Sequence, residues 1–168
     1  MEREYTRIME RRGISLDDPG VLTVNIPGCE KMELQMSFCF SNRSLSNLEG
    51  VHPDLLEVVK LAGEYADEQG LDFIITDGCR TIEEQRAFVA AGKSRTMHSR
   101  HLGGFAIDYV ARVAGRVSYD EADMRAISEC FLRAGAKLRV PVEWGGNWKS
   151  FQDTPHIQLN SERYPDVE

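Results

Sequence analysis

The amino-acid sequence predicts a single α+β domain in which helices pack on a mostly antiparallel sheet. Segments with the apolar periodicity of helices and of strands both occur, and they do not alternate strictly along the chain. The 168 residues are enough for one domain with a substantial core. A composition of 42% hydrophobic and 28% charged residues is typical of a globular protein.

Three segments carry the signals of helices. Residues 53–70 begin with a proline, which suits a first helical turn, and end near a glycine. A capping box at 81–84 opens a helix over 81–92, which ends at a glycine. A second capping box at 118–121 opens an amphipathic helix over 118–135.

Strands of the principal domain are expected where short apolar runs are bounded by turn residues. Residues 105–110 are predicted to form a central strand, and residues 71–76 a buried one. The predicted strands are 71–76, 105–110, 140–144 and 156–159.

Residues 1–40 are predicted to form an N-terminal extension to the principal domain, 41–168. Segments 21–26 and 32–38 alternate apolar and polar residues, and Pro27-Gly28 between them is a strong turn signal. A β-hairpin is therefore expected. We interpret it as a structural cap on the core, and a docking surface is the alternative.

The charge balance excludes several classes of partner. Lys and Arg number 20 against 27 Asp and Glu, which gives a formal charge of −7, and no basic block appears. Nucleic acid is therefore not expected as a partner. Residues 1–12 are too charged for a secretory signal, and no run approaches the roughly 20 apolar residues of a membrane span. We expect synthesis in the cytoplasm without a signal peptide and no membrane insertion.

The four cysteines are scattered and contain no CxxC pair, so a disulfide framework is not indicated. We expect free thiols, some of them buried as small hydrophobic residues. They are Cys29, Cys39, Cys79 and Cys130.

Two histidines and a carboxylate are candidate ligands of a metal ion. His101 precedes two glycines, and Asp108 follows after six intervening residues, on a predicted strand. His156 begins the last predicted strand. Catalytic zinc prefers three protein ligands of this N/N/O type and an open fourth position. Alone, the first pair could also be a surface histidine and a strand-end carboxylate. Of the other histidines, His52 is expected to cap or pack at a helix start, and His98 is left out of the ligand set.

Asp153 supplies a spare carboxylate three residues before His156, in a segment that Pro155 interrupts. A carboxylate beside a zinc-activated water can act as its general base. The alternative for Asp153 is a loop aspartate that caps a turn, and Glu143 is the nearest other acidic candidate for the base. The pattern predicts a zinc hydrolase with one ion per chain, held at a zinc site in a surface cleft of the α+β domain.

These residues resemble those of zinc peptidases that act on bacterial cell-wall peptides. The resemblance covers residues 41–160 and includes the D-alanyl-D-alanine carboxypeptidases and dipeptidases and the phage L-alanyl-D-glutamate endopeptidases. Further matches are most similar to the phage endolysin branch. The matching motifs are Ser99-x-His101, Gly104-x-Ala106-x-Asp108 and Asp153-x-x-His156, with the segments 44–45, 48–55, 78–81, 84–85 and 144–148.

The resemblance implies a role for each matching residue. It makes three residues the zinc ligands, namely His101, Asp108 and His156, and it makes Asp153 the catalytic base. Arg80 would steady the scissile carbonyl or a substrate carboxylate, with a strand-end salt bridge as its alternative. Ser99 would orient the substrate backbone, or serve only as a turn hydroxyl. The substrate cleft would be walled by Trp144 and Trp148, which could instead belong to the core.

The implied activity is zinc-dependent hydrolysis of the L-Ala–D-Glu bond in peptidoglycan stem peptides by a phage or prophage lysis enzyme. Two alternatives stay open: a D-Ala–D-Ala carboxypeptidase or dipeptidase, and a non-catalytic zinc-stabilised module that binds cell wall. The resemblance further implies a monomer that acts on the cell wall. Without a signal, such an enzyme would depend on a membrane-permeabilising phage protein.

Overall fold

A computed structural model describes residues 21–24, 32–35 and 40–166 of the chain. The chain divides into two compact units, Met1–Cys39 and Phe40–Glu168. In the first unit, strands β1 (Val21–Val24) and β2 (Met32–Gln35) pair in antiparallel fashion. The turn predicted at Pro27-Gly28 lies outside the described residues.

The second unit contains four α-helices, five strands and two short 3-10 turns among its described residues. The helices are α1 (Asn42–Asn47), α2 (Pro53–Glu68), α3 (Ile82–Ala90) and α4 (Glu121–Leu138). The strands are β3 (Asp72–Asp77), β4 (Ala106–Val113), β5 (Arg116–Ser118), β6 (Val142–Trp144) and β7 (His156–Leu159). The 3-10 turns are Arg100–Gly103 and Gly145–Asn147.

The sheet has the order β3-β4-β7-β6, and every neighbouring pair is antiparallel. On the side of β4 away from β3, the first half of β4 pairs with β7 and its second half pairs with β5. The central position predicted for β4 and the α+β class are confirmed. Strand β4 is longer than predicted, because it continues into the hairpin with β5.

The core lies between the sheet and a pair of long helices. Helices α2 and α4 pack against each other, and α4 also contacts β4 and β6. Three aromatic rings from different elements meet there: the Phe131 centroid lies 5.2 Å from those of Phe73 and Tyr109. Tyr109 is fully buried, and its hydroxyl donates to the carbonyl of Met124. This core supports β4, the strand that carries Asp108.

One predicted capping box is present and the other is not. Thr81 and Glu84 form the reciprocal pair at the start of α3, as predicted. Helix α4 instead begins at Glu121, with Asp120 as the N-cap that accepts from the amide of Ala122. The box predicted at 118–121 was wrong because Asp120 lies closer to the first free amides than Ser118 does.

Helix α1 was not predicted, and its side chains protect the edge of the sheet. Ser44 Oγ accepts from the amide of Ile75 at 3.1 Å, and Asn47 Nδ2 donates to its carbonyl at 2.8 Å. Both backbone groups belong to β3, an outer strand of the sheet. The α1 side chains thus satisfy groups that an outer strand would otherwise present to solvent or to another chain.

Within the described part of the chain, no helix is both long and apolar enough to cross a membrane. Cys79 and Cys130 are free thiols, as predicted, and burial raises the pKa of each. Cys29 and Cys39 lie outside the described residues.

Candidate metal centre

The antiparallel sheet brings two of the predicted ligands into direct opposition. Asp108 of β4 lies opposite His156, the first residue of β7. On its other side, Asp108 lies opposite Asp77 at the end of β3. Residues 48 positions apart in the sequence therefore become cross-strand neighbours.

His101 reaches the same point from the 3-10 turn that precedes β4. Ser99 caps this turn by accepting from the amide of His101. The carbonyl of His101 accepts from the amide of Arg80 at 2.9 Å, which ties the turn to the segment after β3. The His101 side chain is buried, so its ring has little freedom to leave the site.

Three donor atoms of these residues form a nearly equilateral triangle. Asp108 Oδ1 lies 3.1 Å from His156 Nδ1 and 3.4 Å from His101 Nε2. The two ring nitrogens are 3.3 Å apart. Ligand atoms at tetrahedral corners around zinc, with bonds of about 2.0–2.2 Å, are separated by about 3.3–3.6 Å. The triangle thus has the size of one face of a zinc tetrahedron.

The hydrogen bonds behind the two rings direct lone pairs into this triangle. His101 Nδ1 lies 2.7 Å from the carbonyl oxygen of Gly78, which can only accept, so Nδ1 carries the proton. His156 Nε2 lies 3.1 Å from Gln158 Oε1 and likewise carries the proton. In their neutral forms, both rings therefore present an unprotonated nitrogen beside the Asp108 carboxylate. Three converging lone pairs suit a cation, and the N/N/O set suits zinc.

The charges of the cluster act on one another. Burial alone would raise the pKa of Asp108, but hydrogen bonds and charge from His101 and His156 hold it well below its usual range. Burial alone would lower the pKa of His156, whereas Asp108 raises it above the ordinary value. Asp108 is thus an ionised carboxylate, which is the form that binds a metal.

Asp153 lies on the loop before β7, beside the cluster. Its amide donates to the carbonyl of Gly145, and its carbonyl accepts from the amide of His156. A Cβ atom on Gly145 would lie 2.5 Å from the Asp153 carbonyl oxygen and 3.1 Å from the His156 Cβ. Only glycine allows this close approach. Burial and the charge of Asp108 raise the pKa of the Asp153 carboxyl, which increases its basicity.

Arg80 is tied to the cluster by its hydrogen bonds. Nη2 donates to Asp108 Oδ2 at 3.0 Å, Nε donates to Asp77 Oδ2 at 2.8 Å, and Nη1 donates to Gln85 Oε1 at 3.1 Å. The guanidinium also stacks on the ring of Phe88, 4.2 Å from its centroid. Arg80 is only 9% exposed. Through these contacts Arg80 supports Asp108. This arrangement resembles the strand-end salt bridge that was considered as its alternative role.

The two tryptophans differ in position. The ring of Trp148 is partly exposed and lies 5.2 Å from the ring of His156, at the wall of the site. Trp144 is only 2% exposed, and its Nε1 donates to the carbonyl of Thr154. The prediction of Trp144 as a cleft wall was therefore wrong, because its ring belongs to the core and holds the 153–156 loop.

The remaining histidines lie apart from the three-ligand group, as expected. His52 is the N-cap of α2, and its Nδ1 accepts from the amide of Asp54. His98 is exposed and does not belong to the group of potential ligands found in the described part of the chain.

Sequence reasoning assigned no role to Gln158, Asp77 or Gln85, and it considered Glu143 only as a spare base. Gln158 was detectable, since residues i and i+2 of a strand share a face and Gln158 follows His156 at that spacing. Asp77 and Gln85 contact Arg80 from positions only three and five residues away in the sequence, and Gln85 lies in the matching segment 84–85.

Comparison with solved structures first defines the class of fold. The chain matches the zinc-bound crystal structure of VanY, a vancomycin-resistance D,D-pentapeptidase, with a TM-score of 0.50 and 18% identity. The match covers 73% of this chain and 80% of VanY. At this identity the likeness shows a shared fold.

Sequence comparison then defines the family. The family model of the phage L-alanyl-D-glutamate peptidases matches residues 36–164, and the chain belongs to that family. The Serratia marcescens L-Ala D-Glu endopeptidase ChiX is 43% identical, with a TM-score of 0.69 over 76% of this chain and 93% of ChiX. The resemblance proposed from the sequence motifs is confirmed.

A curated relative shows how the chain compares in length with other members. The L-alanyl-D-glutamate peptidase of Listeria phage A118 is 33% identical over 129 residues, or 77% of this chain. The match covers 45% of the A118 protein, so the chain spans less than half of that relative's length.

Proposed function

We propose that the chain is a zinc-dependent endopeptidase that hydrolyses the L-Ala–D-Glu bond of peptidoglycan stem peptides. The observation that carries this proposal is the triangle of lone pairs from His101, Asp108 and His156, with a carboxylate of raised pKa beside it. Membership of the L-alanyl-D-glutamate peptidase family supports the choice of bond.

In this proposal the three side chains hold one zinc ion. A bound zinc ion would supply a Lewis acid and a water molecule of lowered pKa. Asp153 would accept a proton from the attacking water and then deliver it to the leaving amine of D-Glu. Its raised pKa suits it to both steps, because a stronger base accepts the first proton more readily and the carboxylic acid then donates it.

Arg80 would contribute positive charge next to the reacting carbonyl. Its charge reaches the site, because it lowers the pKa of Asp153 against the stronger effect of burial. A fixed cation there would favour the developing oxyanion or a substrate carboxylate. Arg80 would also hold Asp108 through Oδ2, which leaves Oδ1 directed at the metal.

Ser99 and Trp148 are the proposed substrate contacts. Ser99 lies two residues before His101, and its hydroxyl, which accepts from the His101 amide, could still donate to a peptide carbonyl. Trp148 offers a partly exposed ring beside His156 against which a peptide could pack. We further propose a monomeric lysis enzyme that is made in the host cytoplasm and reaches the cell wall with the help of a membrane-permeabilising phage protein.

Digestion of purified peptidoglycan, with and without a chelator, tests the function. We expect new amino termini on D-Glu, with L-Ala left attached to the glycan, and we expect activity to disappear with chelator and return with zinc. Mass spectrometry of the products from a defined muropeptide identifies the bond.

The same digestion distinguishes the two alternatives. Release of free D-Ala from a pentapeptide stem, without a new D-Glu terminus, would indicate the D-Ala–D-Ala carboxypeptidase reaction. Zinc-dependent folding with no hydrolysis of any stem peptide would instead indicate a binding module.

A further inference from the structure

A chain of hydrogen bonds begins at two backbone amides that follow β7. It reaches the candidate metal centre through side chains of β6 and β7. The amides of Glu162 and Arg163 both donate to Asn160 Oδ1 at 3.1 Å. A backbone amide can only donate, so the side-chain oxygen of Asn160 must face these groups. Asn160 Nδ2 thereby faces Glu143, and it donates to Glu143 Oε1 at 2.6 Å.

The inner half of the chain continues with the same direction. Glu143 Oε2 accepts from Gln158 Nε2 at 3.1 Å, and an ionised carboxylate can only accept. The Gln158 amide therefore presents its oxygen to His156 Nε2, which lies 3.1 Å away. Each orientation is set by the partner before it, so the assignment of every amide oxygen follows from the network.

The direction of the chain decides which nitrogen of His156 is free. Because Gln158 Oε1 accepts, His156 Nε2 carries the proton and Nδ1 presents its lone pair beside Asp108 Oδ1. If the Gln158 amide were reversed, its NH2 group would face Nε2. The proton would then move to Nδ1, inside the triangle of donor atoms, and it would oppose a bound cation.

We infer that Glu143 is a positioning residue that fixes the tautomer of His156 through Gln158 and so prepares the metal centre. This inference rests on the proposed function for the identity of the metal. It also gives Glu143 a role other than spare base, because both of its oxygens already accept from amides. Partners behind a metal-bound histidine commonly alter metal affinity by roughly 10- to 100-fold.

The isosteric change Glu143→Gln tests the direction of the chain. The new amide oxygen would accept from Asn160, and its NH2 group would face Gln158. Gln158 would then reverse and present its own NH2 group to His156. We expect zinc affinity to fall roughly 10- to 100-fold, and the nitrogen-15 shifts of the zinc-free His156 ring, recorded where the ring is neutral, to report a proton moved towards Nδ1.

The double change E143Q/Q158E exchanges the two side chains, so it keeps the composition and the net charge and restores the direction. The amide introduced at position 143 would accept from Asn160 and donate to the carboxylate introduced at position 158. That carboxylate would accept from His156 Nε2. We expect zinc affinity within a few-fold of that of the unaltered chain and a return of the original ring shifts. A merely structural role for Glu143 would not produce rescue by exchange of the two residues.

Glu68→Gln is the matched control, since Glu68 is exposed and lies 3.9 Å from its partner Arg133. Thermal unfolding measured by circular dichroism verifies that all variants fold. Unchanged zinc affinity and unchanged ring shifts in Glu143→Gln would overturn the inference, as would a double variant no better than the single one. Failure of the unaltered chain to bind zinc would contradict the proposed function alone, because the zinc-free ring shifts still test the tautomer.

Discussion

The two histidines of the candidate metal centre are held in different ways. His101 lies on a 3-10 turn, and its ring donates to the backbone carbonyl of Gly78. The backbone carbonyl of His101 in turn accepts from the amide of Arg80. His156 lies in a strand, and its ring is oriented by the side chains of Gln158 and Glu143.

This difference determines how each half of the site responds to substitution. A backbone carbonyl is present whatever the side chain, so the support of His101 survives most replacements around it. The support of His156 depends on an amide and a carboxylate of fixed identity, so single replacements should reverse it. We therefore expect the two histidines to be equally necessary for zinc binding. The hydrogen-bonding groups behind His156 should be more sensitive to substitution than those behind His101.

Replacement of either histidine should have the largest effect on zinc binding and hydrolysis, and the two replacements should have equal effects. His101→Ala and His156→Ala each remove one of three donors, so we expect loss of zinc in elemental analysis and loss of peptidoglycan hydrolysis. Zinc should raise the melting temperature of the unaltered chain by mass action and leave that of both variants unchanged. Full zinc occupancy in both variants would contradict the ligand assignment.

Asp153→Asn should separate chemistry from metal binding. The asparagine keeps the shape of the side chain and cannot accept the proton, so we expect hydrolysis to fall by about 10²- to 10⁴-fold. Zinc content should stay at one ion per chain. Turnover of muropeptides and metal analysis on the same sample measure both, and an active variant that retains zinc would remove Asp153 from the mechanism.

The backbone support of His101 should be breakable at Gly78. A Cβ atom there would lie 1.8 Å from the carbonyl oxygen of Asn47, so the backbone must move in Gly78→Ala. We expect a loss of stability of about 1–3 kcal/mol together with weaker zinc binding. Glu143→Gln should instead weaken zinc binding with little change in melting temperature. Equal melting temperatures for the two variants would contradict the difference between the backbone support of His101 and the side-chain support of His156.

The group of candidate metal ligands could be predicted from the sequence because its residue types are chemically restricted. Only a few side chains bind zinc, and His101, Asp108 and His156 with a carboxylate at Asp153 form a recognisable pattern. Most elements of the fold were also predictable, since α2 carries a proline start, a clear apolar periodicity and a glycine shortly after its end.

Apart from Gln158, the contacts that support the candidate ligands could not be predicted, and those that cross between strands depend on the strand register. Asp77 faces Asp108, and Arg80 reaches Asp108, only once β3 and β4 are paired in a particular register. The burial of Trp144 follows from packing of the 153–156 loop and has no local signature. The Gly78 carbonyl is invisible in the sequence, since every residue has one.

Arg80→Ala should weaken zinc binding less than the replacement of a candidate ligand, because the only atom of Asp108 that Arg80 contacts is the outer oxygen, Oδ2. We expect zinc affinity to fall about 10-fold, the lower end for such partners. At saturating zinc, any remaining loss of kcat/KM on a muropeptide measures the proposed contact with substrate. Arg112→Ala is the control, since Arg112 pairs with Asp72 at a more exposed position of the same two strands. Full recovery of kcat/KM by zinc would show that Arg80 acts only by supporting Asp108. A loss that zinc cannot recover would show that Arg80 also contacts the substrate.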